Sequence, residues 1–475
     1  MRYAPVTLAF KTRPLPDGTV LAVSSSGDHS FLTSSELTAL RDAPSTLPFD
    51  LQTELKSRFF IGAHDNSGGT RRLIKSRVAA KRETVNNGPS LHIFVPTLQC
   101  THSCRYCQVS RSQVGDGYTM SLVDLDSACE TIFQSASKSL TVEFQGGDPL
   151  LRFDLIRHAI LRIKSINGSE RRNLRFVVAS TLHHLDDDMC SFFLEHNVLL
   201  STSLDGPENL HNKNRPIPGK NAYERTVTGL ELARRRLGHN SVSALMTTTR
   251  DSLAQPEAIV DEYVRLGFSD VFLRPLSLYG FARRNKSILG YSSDEFFNFY
   301  FRGLERVIYW NQQGVKLREV YASIILNKIL STFDQGYVNL QSPTGAGLSV
   351  LVYNYDGFVY PTDEARMLVE SGDTSLRLGR IGQPITELLG SALQQDLIRS
   401  SLVDCTPGCM DCAYNLFCAP DPVDAHADFG SVFAPVAQTS HCQRHLRLFD
   451  EIFMRVRKAD ERTLTLFHQW AMPTR

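Results

Sequence analysis

The sequence lacks the long apolar runs that would place it in a membrane. No stretch approaches the roughly 18 consecutive apolar residues of a spanning helix. The start, MRYAPVTLAFKTRPLPDG, has no uninterrupted apolar core of the kind a signal peptide needs. Excess charge is missing too: 51 Lys plus Arg stand against 50 Asp plus Glu, and a net +1 argues against a nucleic-acid or anionic-membrane binder. The expectation is a soluble, cytoplasmic protein that recognises its partner locally. Cysteine, in contrast, is present in clusters. Seven of the ten fall in two tight groups, which in a long cytosolic chain points to metal sites and not disulfides.

At 475 residues the chain can bury a large core and should form two or three units. Residues 1–65 read as a small α+β module, with strands VTLAF, TVLAVSS and SFLTS, a turn at Asp17-Gly18, and helices Ser34–Arg41 and Leu51–Phe59. Residues 66–88, Gly-rich and then basic, read as a linker or a solvated helix face. Residues 89–280 alternate regularly. Strand-like runs at Leu91–Pro96, Leu140–Phe144, Leu174–Ala179, Val198–Leu204, Val242–Thr247 and Val271–Leu276 are separated by helical stretches. Six β/α units in this order predict an α/β fold, a partial TIM-like (β/α)6 barrel of parallel strands with its chemistry at their C-terminal ends. Gly280–Lys286 reads as a solvated basic loop. Residues 281–339 read as a helical extension packed outside the barrel, 340–445 as a cysteine-bearing domain with a hairpin at Asp356-Gly357, and 446–475 as a C-terminal helix.

The stretch CTHSCRYC places Cys100, Cys104 and Cys107 after the first strand-like run. A closed zinc site wants four ligands. Three local thiolates would instead leave one iron of a 4Fe-4S cube open to bind a substrate or cofactor. The ends of the later strands carry Gly146-Gly147-Asp148, Ser180-Thr181, the STSLDG segment with Ser203 and Asp205, Thr247–Thr249 and Arg274, all on one predicted rim. Cys409, Cys412 and Cys418 at C-x2-C-x5-C, with Cys442, make a complete four-ligand set that describes a zinc ribbon as well as a fully ligated cluster. Cys405 is a spare, and Cys129 and Cys190 fall in helical patterns as buried core thiols.

The cysteine stretch, with Tyr106 directly before its last cysteine, resembles the CxxxCxxC motif of the radical S-adenosylmethionine (radical SAM) superfamily. GGD resembles the superfamily's GGE motif, and STSLDG its SLDG segment. The resemblance implies a 4Fe-4S cluster on Cys100, Cys104 and Cys107 that binds S-adenosylmethionine and reductively cleaves it to methionine and a 5′-deoxyadenosyl radical. It places Tyr106, Gly146, Gly147, Asp148, Ser180, Ser203, Asp205 and Arg215 around that cofactor, with Asp148 at its amino group and Arg215 at its carboxylate. The second cysteine set resembles a SPASM extension. Thr344, Thr362 and Pro422 stand where the family carries cysteines, which implies one auxiliary 4Fe-4S cluster on Cys409, Cys412, Cys418 and Cys442. Asp363 or Glu364 would then accept a proton near the barrel mouth, unless an ion pair with Arg366 is their whole role. The N-terminal module resembles the PqqD-like domains that bind leader peptides by strand addition, with a structural cap as the plainer reading.

Longer phrases, among them GPSLHIFVPTLQCTHSCRYCQVSR, STSLDGPENLHNKNRP and VLVYNYDGFVYPTDEARM, resemble the His-Xaa-Ser system radical SAM maturases, B component. That implies a ribosomal precursor peptide with His-Xaa-Ser repeats as substrate, a second radical SAM protein as partner, and a reductant such as flavodoxin or ferredoxin. Two alternatives stand beside it. One is a sulfatase-maturase-like oxidase of a protein Ser or Cys; the other is a zinc-ribbon scaffold with no radical chemistry.

Overall fold

The computed structural model describes residues 5–63, 67–115 and 117–472. The chain divides into two compact units. One gathers Asn87–Tyr321 and Ala346–Gln395, the other Met1–Asn86, Ala322–Gly345 and Asp396–Arg475. The chain passes from one unit to the other after Asn86, Tyr321, Gly345 and Gln395. The hairpin segment belongs with the barrel strands, and the cysteine-rich segment after it belongs with the N-terminal module.

In the first unit, Leu91–Thr97, Ser139–Gly146, Asn173–Ser180, Val198–Ser203 and Val242–Leu245 pair in parallel, each beside the next. The first strand, LHIFVPT, is mostly apolar, with His92 and Thr97 the exceptions, and is buried on both faces, as the central strand of a parallel sheet must be. Helices join the strands, and several begin on side-chain caps: Ser121 accepts the Asp124 amide and Asp186 the Met189 amide. The hairpin strand Val350–Tyr353 adds in parallel to the free side of the first strand, followed by antiparallel Phe358–Tyr360 and Gly379–Arg380, for eight strands in all. Phe94, Phe144 and Tyr353 lock this centre, the ring of Phe94 lying 5.8 Å and 5.1 Å from the other two. Truncating a ring buried like these costs about 3–5 kcal/mol.

The sixth expected strand is cut to Asp270–Val271, and it pairs with Arg318–Glu319, not with the main sheet. Two groups explain the break. Pro275 has no amide to give, and the Leu273 amide turns to the buried Glu319 carboxylate at 3.1 Å. One contact with the fifth strand's end survives, Thr248 N to Arg274 O at 3.0 Å. The segment read as a solvated loop is instead helical, over Gly280–Arg284 and Lys286–Leu289. The following helix, Ser293–Gln312, lies on Pro256–Arg265 through the ion pairs Arg302–Glu257 and Arg306–Asp261, both at 2.7 Å.

The second unit holds a three-stranded antiparallel sheet, Phe10–Pro14, Val20–Ser24 and His29–Leu32. The run VTLAF does not form one strand, because Pro5–Thr7 pairs separately with Ile61–Ala63. One sheet face covers the helices through Ala22, Leu32, Leu40, Leu55 and Phe60. On the other face His29 and Phe31 meet Phe453 of the long helix Ser440–Lys458, at 5.1 Å and 6.3 Å. Ser67–Asn86 is a helix and not a linker. Its Lys81 stem crosses apolar surface to donate to the carbonyls of Lys328 and Ser331 at 2.9 Å and 3.0 Å. The C-terminal helix expected as one is two, because Asp460 caps a new helix, Glu461–Ala471, by accepting the Thr463 amide. Among the described residues no helix is long and apolar enough to cross a membrane.

Candidate functional site

The loop bearing Cys100, Cys104 and Cys107 leaves the C-terminal end of the first barrel strand and folds back over it. Cys100 N donates to Ser112 O at 3.1 Å, and Cys107 N to Cys104 O at 3.3 Å. Beneath the loop lie Gly146 and Gly147. A Cβ on Gly146 would stand 2.0 Å from Thr97 O, and one on Gly147 2.2 Å from Gln99 O. Both line the cavity described below, but the loop backbone already takes the room at their Cα. Gly147 N and Asp148 N donate to Thr97 O and Gln99 O at 2.9 Å and 2.7 Å.

A second buttress escaped the sequence reading. The helix starting at Gly280 runs against the cysteine loop, with Phe281 N donating to Cys107 O at 3.0 Å and Asn285 Nδ2 to Arg105 O at 2.8 Å. Ala282 and Leu289 pack around Tyr106. The apolar opening of GFARRNK was the available signal; its basic end dominated the reading.

All three cysteines line one cavity of about 220 Å³ at the strand ends. Of the residues expected around a cofactor, Tyr106, Gly146, Gly147, Ser180, Ser203 and Arg215 line it as well. Asp148 and Asp205 are fully buried behind that wall. Asp148 accepts the hydroxyls of Ser180 and Thr181 at 2.6 Å and 2.5 Å, so its carboxylate orients the end of the third strand. Asp205 accepts Tyr106 Oη at 2.6 Å, Arg215 Nε at 3.1 Å, Arg215 Nη2 at 3.2 Å and Thr247 N at 3.3 Å. The guanidinium stands 5.2 Å from the Tyr106 ring centroid, so three motif segments close on one buried ion pair.

Asp363 lines the cavity and also receives Arg366 Nε and Nη2 at 2.8 Å and 2.6 Å. The ion pair held as the plainer alternative is thus present, without removing Asp363 from the cavity wall. Glu364 does not line it. Thr362, standing at a family cysteine position, caps the helix Asp363–Met367 by accepting the Ala365 amide at 3.1 Å. The cavity also takes Arg274, from the predicted rim, together with His102, Gln145 and Met367, which carried no site signal in the sequence. Burial drops the pKa of His102 to about 2 and that of His183 to about 4, so this hydrogen-bonded pair, 3.1 Å apart, stays neutral. Burial pushes the Cys104 thiol up to about 12, against the pull of Arg215, and raises Cys100 and Cys107 too. A metal bound there would have to displace these protons, which is what a coordinating cation does.

In the other unit Cys409, Cys412, Cys418 and Cys442 line a single cavity of about 90 Å³. Tyr414 N donates to Cys412 Sγ at 3.4 Å, and the Thr439 hydroxyl accepts the Cys442 amide at 3.1 Å. Cys405 is exposed and outside this cavity, while Cys129 and Cys190 are buried. Among the described residues no three His, Cys, Asp or Glu side chains close on a point that would hold one metal ion. Pro422, at the last family cysteine position, begins the helix Pro422–Phe429, where a missing amide costs nothing. Thr344 is buried and its amide donates to Ser401 Oγ at 2.8 Å.

Residues 94–263 match the Radical SAM superfamily. They form a radical SAM domain. An uncharacterized protein of Methanothermobacter thermautotrophicus is 27% identical over 183 residues, covering 37% of this chain and 64% of the relative. A cysteine-type anaerobic sulfatase-maturating enzyme of Clostridium novyi is 27% identical over 140 residues, covering 29% of this chain and 37% of the relative. The matched region therefore spans less than two thirds of either curated relative. Two solved structures share the fold. Native anSMEcpe with bound AdoMet has a TM-score of 0.65 at 18% identity, over 80% of this chain and 99% of that one. Streptococcus suis SuiB bound to precursor peptide SuiA has a TM-score of 0.54 at 13% identity, over 92% of this chain and 99% of that one.

Proposed function

We propose that the chain is a radical SAM maturase of a ribosomally made precursor peptide, with His-Xaa-Ser repeats as its substrate motif. The carrying observation is the convergence of Cys100, Cys104 and Cys107 on one cavity with Arg215, Ser180 and Ser203 at the ends of parallel strands. That residue set fits a 4Fe-4S cluster and S-adenosylmethionine, which when bound supply a 5′-deoxyadenosyl radical that removes a hydrogen atom from an unactivated carbon. The chain's own residues bind and orient. Arg215, held by Asp205 and Tyr106, presents a fixed guanidinium to a carboxylate. Asp148 fixes the hydroxyls of Ser180 and Thr181 at the cavity wall. Asp363 accepts a proton from the substrate, and Arg366 steadies its carboxylate. Cys409, Cys412, Cys418 and Cys442 hold one auxiliary cluster that relays electrons.

A sulfatase-maturase-like oxidation of a protein Ser or Cys is supported by the likeness to such enzymes in sequence and fold. Thr344 and Thr362, in place of the hairpin cysteines of a second auxiliary cluster, favour the peptide maturase. A reductant such as flavodoxin or ferredoxin and a second radical SAM protein complete the proposed system. Anaerobic incubation with S-adenosylmethionine, dithionite and a His-Xaa-Ser repeat peptide should release methionine and 5′-deoxyadenosine and change the peptide's mass. A fully iron-loaded sample that leaves the cofactor intact would overturn the reading. Cleavage without change of that peptide, but with oxidation of a sulfatase Ser or Cys peptide, would favour the second.

A further inference from the structure

Arg13 lies on the edge strand Phe10–Pro14 of the N-terminal sheet. Its Nε and Nη2 grip both carboxylate oxygens of Asp450 at 2.5 Å and 2.6 Å. Asp450 is on the helix Ser440–Lys458, about two turns beyond Cys442. The same carboxylate accepts the Tyr414 hydroxyl at 2.5 Å. Tyr414 is buried, stacked on Phe449 and Phe453 with ring centroids 5.1 Å and 5.6 Å away, and has Arg13 5.5 Å from its own centroid. It lines the four-cysteine cavity, and its amide donates to Cys412 Sγ at 3.4 Å. Sequence positions far apart thus meet in one chain of contacts ending on the Cys412 sulfur. Lys11, two residues before Arg13 and on the same face of the strand, adds a second cation to that face.

We propose that the N-terminal sheet is an electrostatic part of the four-cysteine site: through the Arg13–Asp450 pair it sets the charge beside Cys412, and with it the reduction potential of the cluster those cysteines hold. The inference rests on the reading of Cys409, Cys412, Cys418 and Cys442 as cluster ligands. A cluster on four thiolates gains negative charge on reduction. A nearby cation and hydrogen bonds to sulfur favour the reduced state and raise the potential, and a carboxylate lowers it. Arg13 and Asp450 therefore act in opposite directions, and both are fixed by contacts beyond the cysteines' own segment.

The test uses the full chain carrying Cys100→Ala, Cys104→Ala and Cys107→Ala, so that only the auxiliary cluster contributes a signal. After anaerobic reconstitution, iron is counted and the midpoint potential is followed by electron paramagnetic resonance. With about four irons per chain, Arg13→Met should lower the midpoint, Asp450→Asn should raise it, and Arg13→Lys should stay near the parent. Lys11→Met should lower it as well, and serves if Arg13→Met does not fold. Opposite shifts cannot come from loosened packing alone, which would move both variants the same way. Iron-loaded variants with unchanged midpoints, or with Arg13→Met and Asp450→Asn shifting alike, would overturn the proposal. A parent that binds no iron at these cysteines would overturn the cluster reading, and the coupling with it.

Discussion

Tyr106 donates its hydroxyl proton to Asp205 across 2.6 Å, although the two lie on loops from different barrel strands. The bond ties the cysteine loop to the fourth strand and leaves Arg215 bracketed by a carboxylate and an aromatic face. The sequence places these residues on one rim, but only the fold shows that Asp205 is the counter-ion of Arg215 and not itself part of the cavity wall.

Asp205→Asn leaves the Arg215 charge buried without its partner, a change that typically costs about 3–5 kcal/mol. Tyr106→Phe removes one donor from a carboxylate that keeps its other partners, at about 1.5–3 kcal/mol. Urea unfolding of the iron-free chain should rank them in that order, and cofactor affinity measured by calorimetry on the loaded protein should fall most for Asp205→Asn. Equal stability and equal affinity across all three proteins would contradict the bracketing role.

Gly147→Ala should empty the first iron site and spare the second. The new Cβ would stand 2.2 Å from Gln99 O and 2.3 Å from Leu98 O, both backbone atoms that cannot swing aside. The cysteine loop must shift instead, while the four-cysteine set lies in the other compact unit. Iron should drop from about eight to about four per chain. Full iron content with normal cofactor cleavage would show that the loop tolerates the displacement.

Periodicity made five barrel strands and their helices legible, because buried parallel strands and amphipathic crossovers write distinct patterns. The sixth strand misled because Val271–Leu276 is apolar enough, while the partner that diverts its backbone, Glu319, lies far along the chain. Local pattern cannot register such a long-range competitor. The cysteine ligands and Arg215 were legible from motif spacing. The supports at Phe281 and Asn285 were not, since both bond backbone carbonyls of the loop and the apolar start of GFARRNK was their only trace in the sequence. The grouping of segments into compact units was not legible for a related reason. The chain leaves the barrel unit, returns to it at Ala346 and leaves again at Asp396, and composition does not mark those returns.

Stability should fall steeply below pH 6.5, and His92 should carry part of that slope. Its ring is fully buried against Tyr353, with Nδ1 3.2 Å from the phenol oxygen, and burial lowers its pKa to about 3. The unfolded chain takes up the proton near pH 6.5. Between these values the unfolded state binds more protons, so stability is complete above pH 6.5 and is lost as the pH falls towards 3, by up to about 1.4 kcal/mol per unit. Carboxylates add slopes of their own, which cancel when wild type is compared with His92→Gln. The variant should lose less stability between pH 6.5 and 5 in urea titrations, and parallel curves would mean that His92 is not neutral in the fold.

Asp363 sits where two roles compete, and substitution separates them. As a partner of Arg366 it is structural. Removing its charge leaves a buried guanidinium whose Nη1 has no hydrogen-bond partner, so stability should drop whatever the chemistry. As a proton acceptor at the cavity wall it acts after cofactor cleavage, because the proton leaves only once the substrate has lost a hydrogen atom. Asp363→Asn keeps a side chain of the same shape that can still accept the Arg366 hydrogen bonds through its carbonyl oxygen, but it cannot take up a proton. It should form 5′-deoxyadenosine at a rate within a fewfold of wild type while product formation falls by about 10²–10⁴, the span general acid–base groups supply. Glu364→Gln, outside the cavity, should leave both measures near wild type. If Asp363→Asn lowers cleavage and product together, in proportion to its loss of stability, the ion pair is the whole function of that carboxylate and the proton must leave by another route.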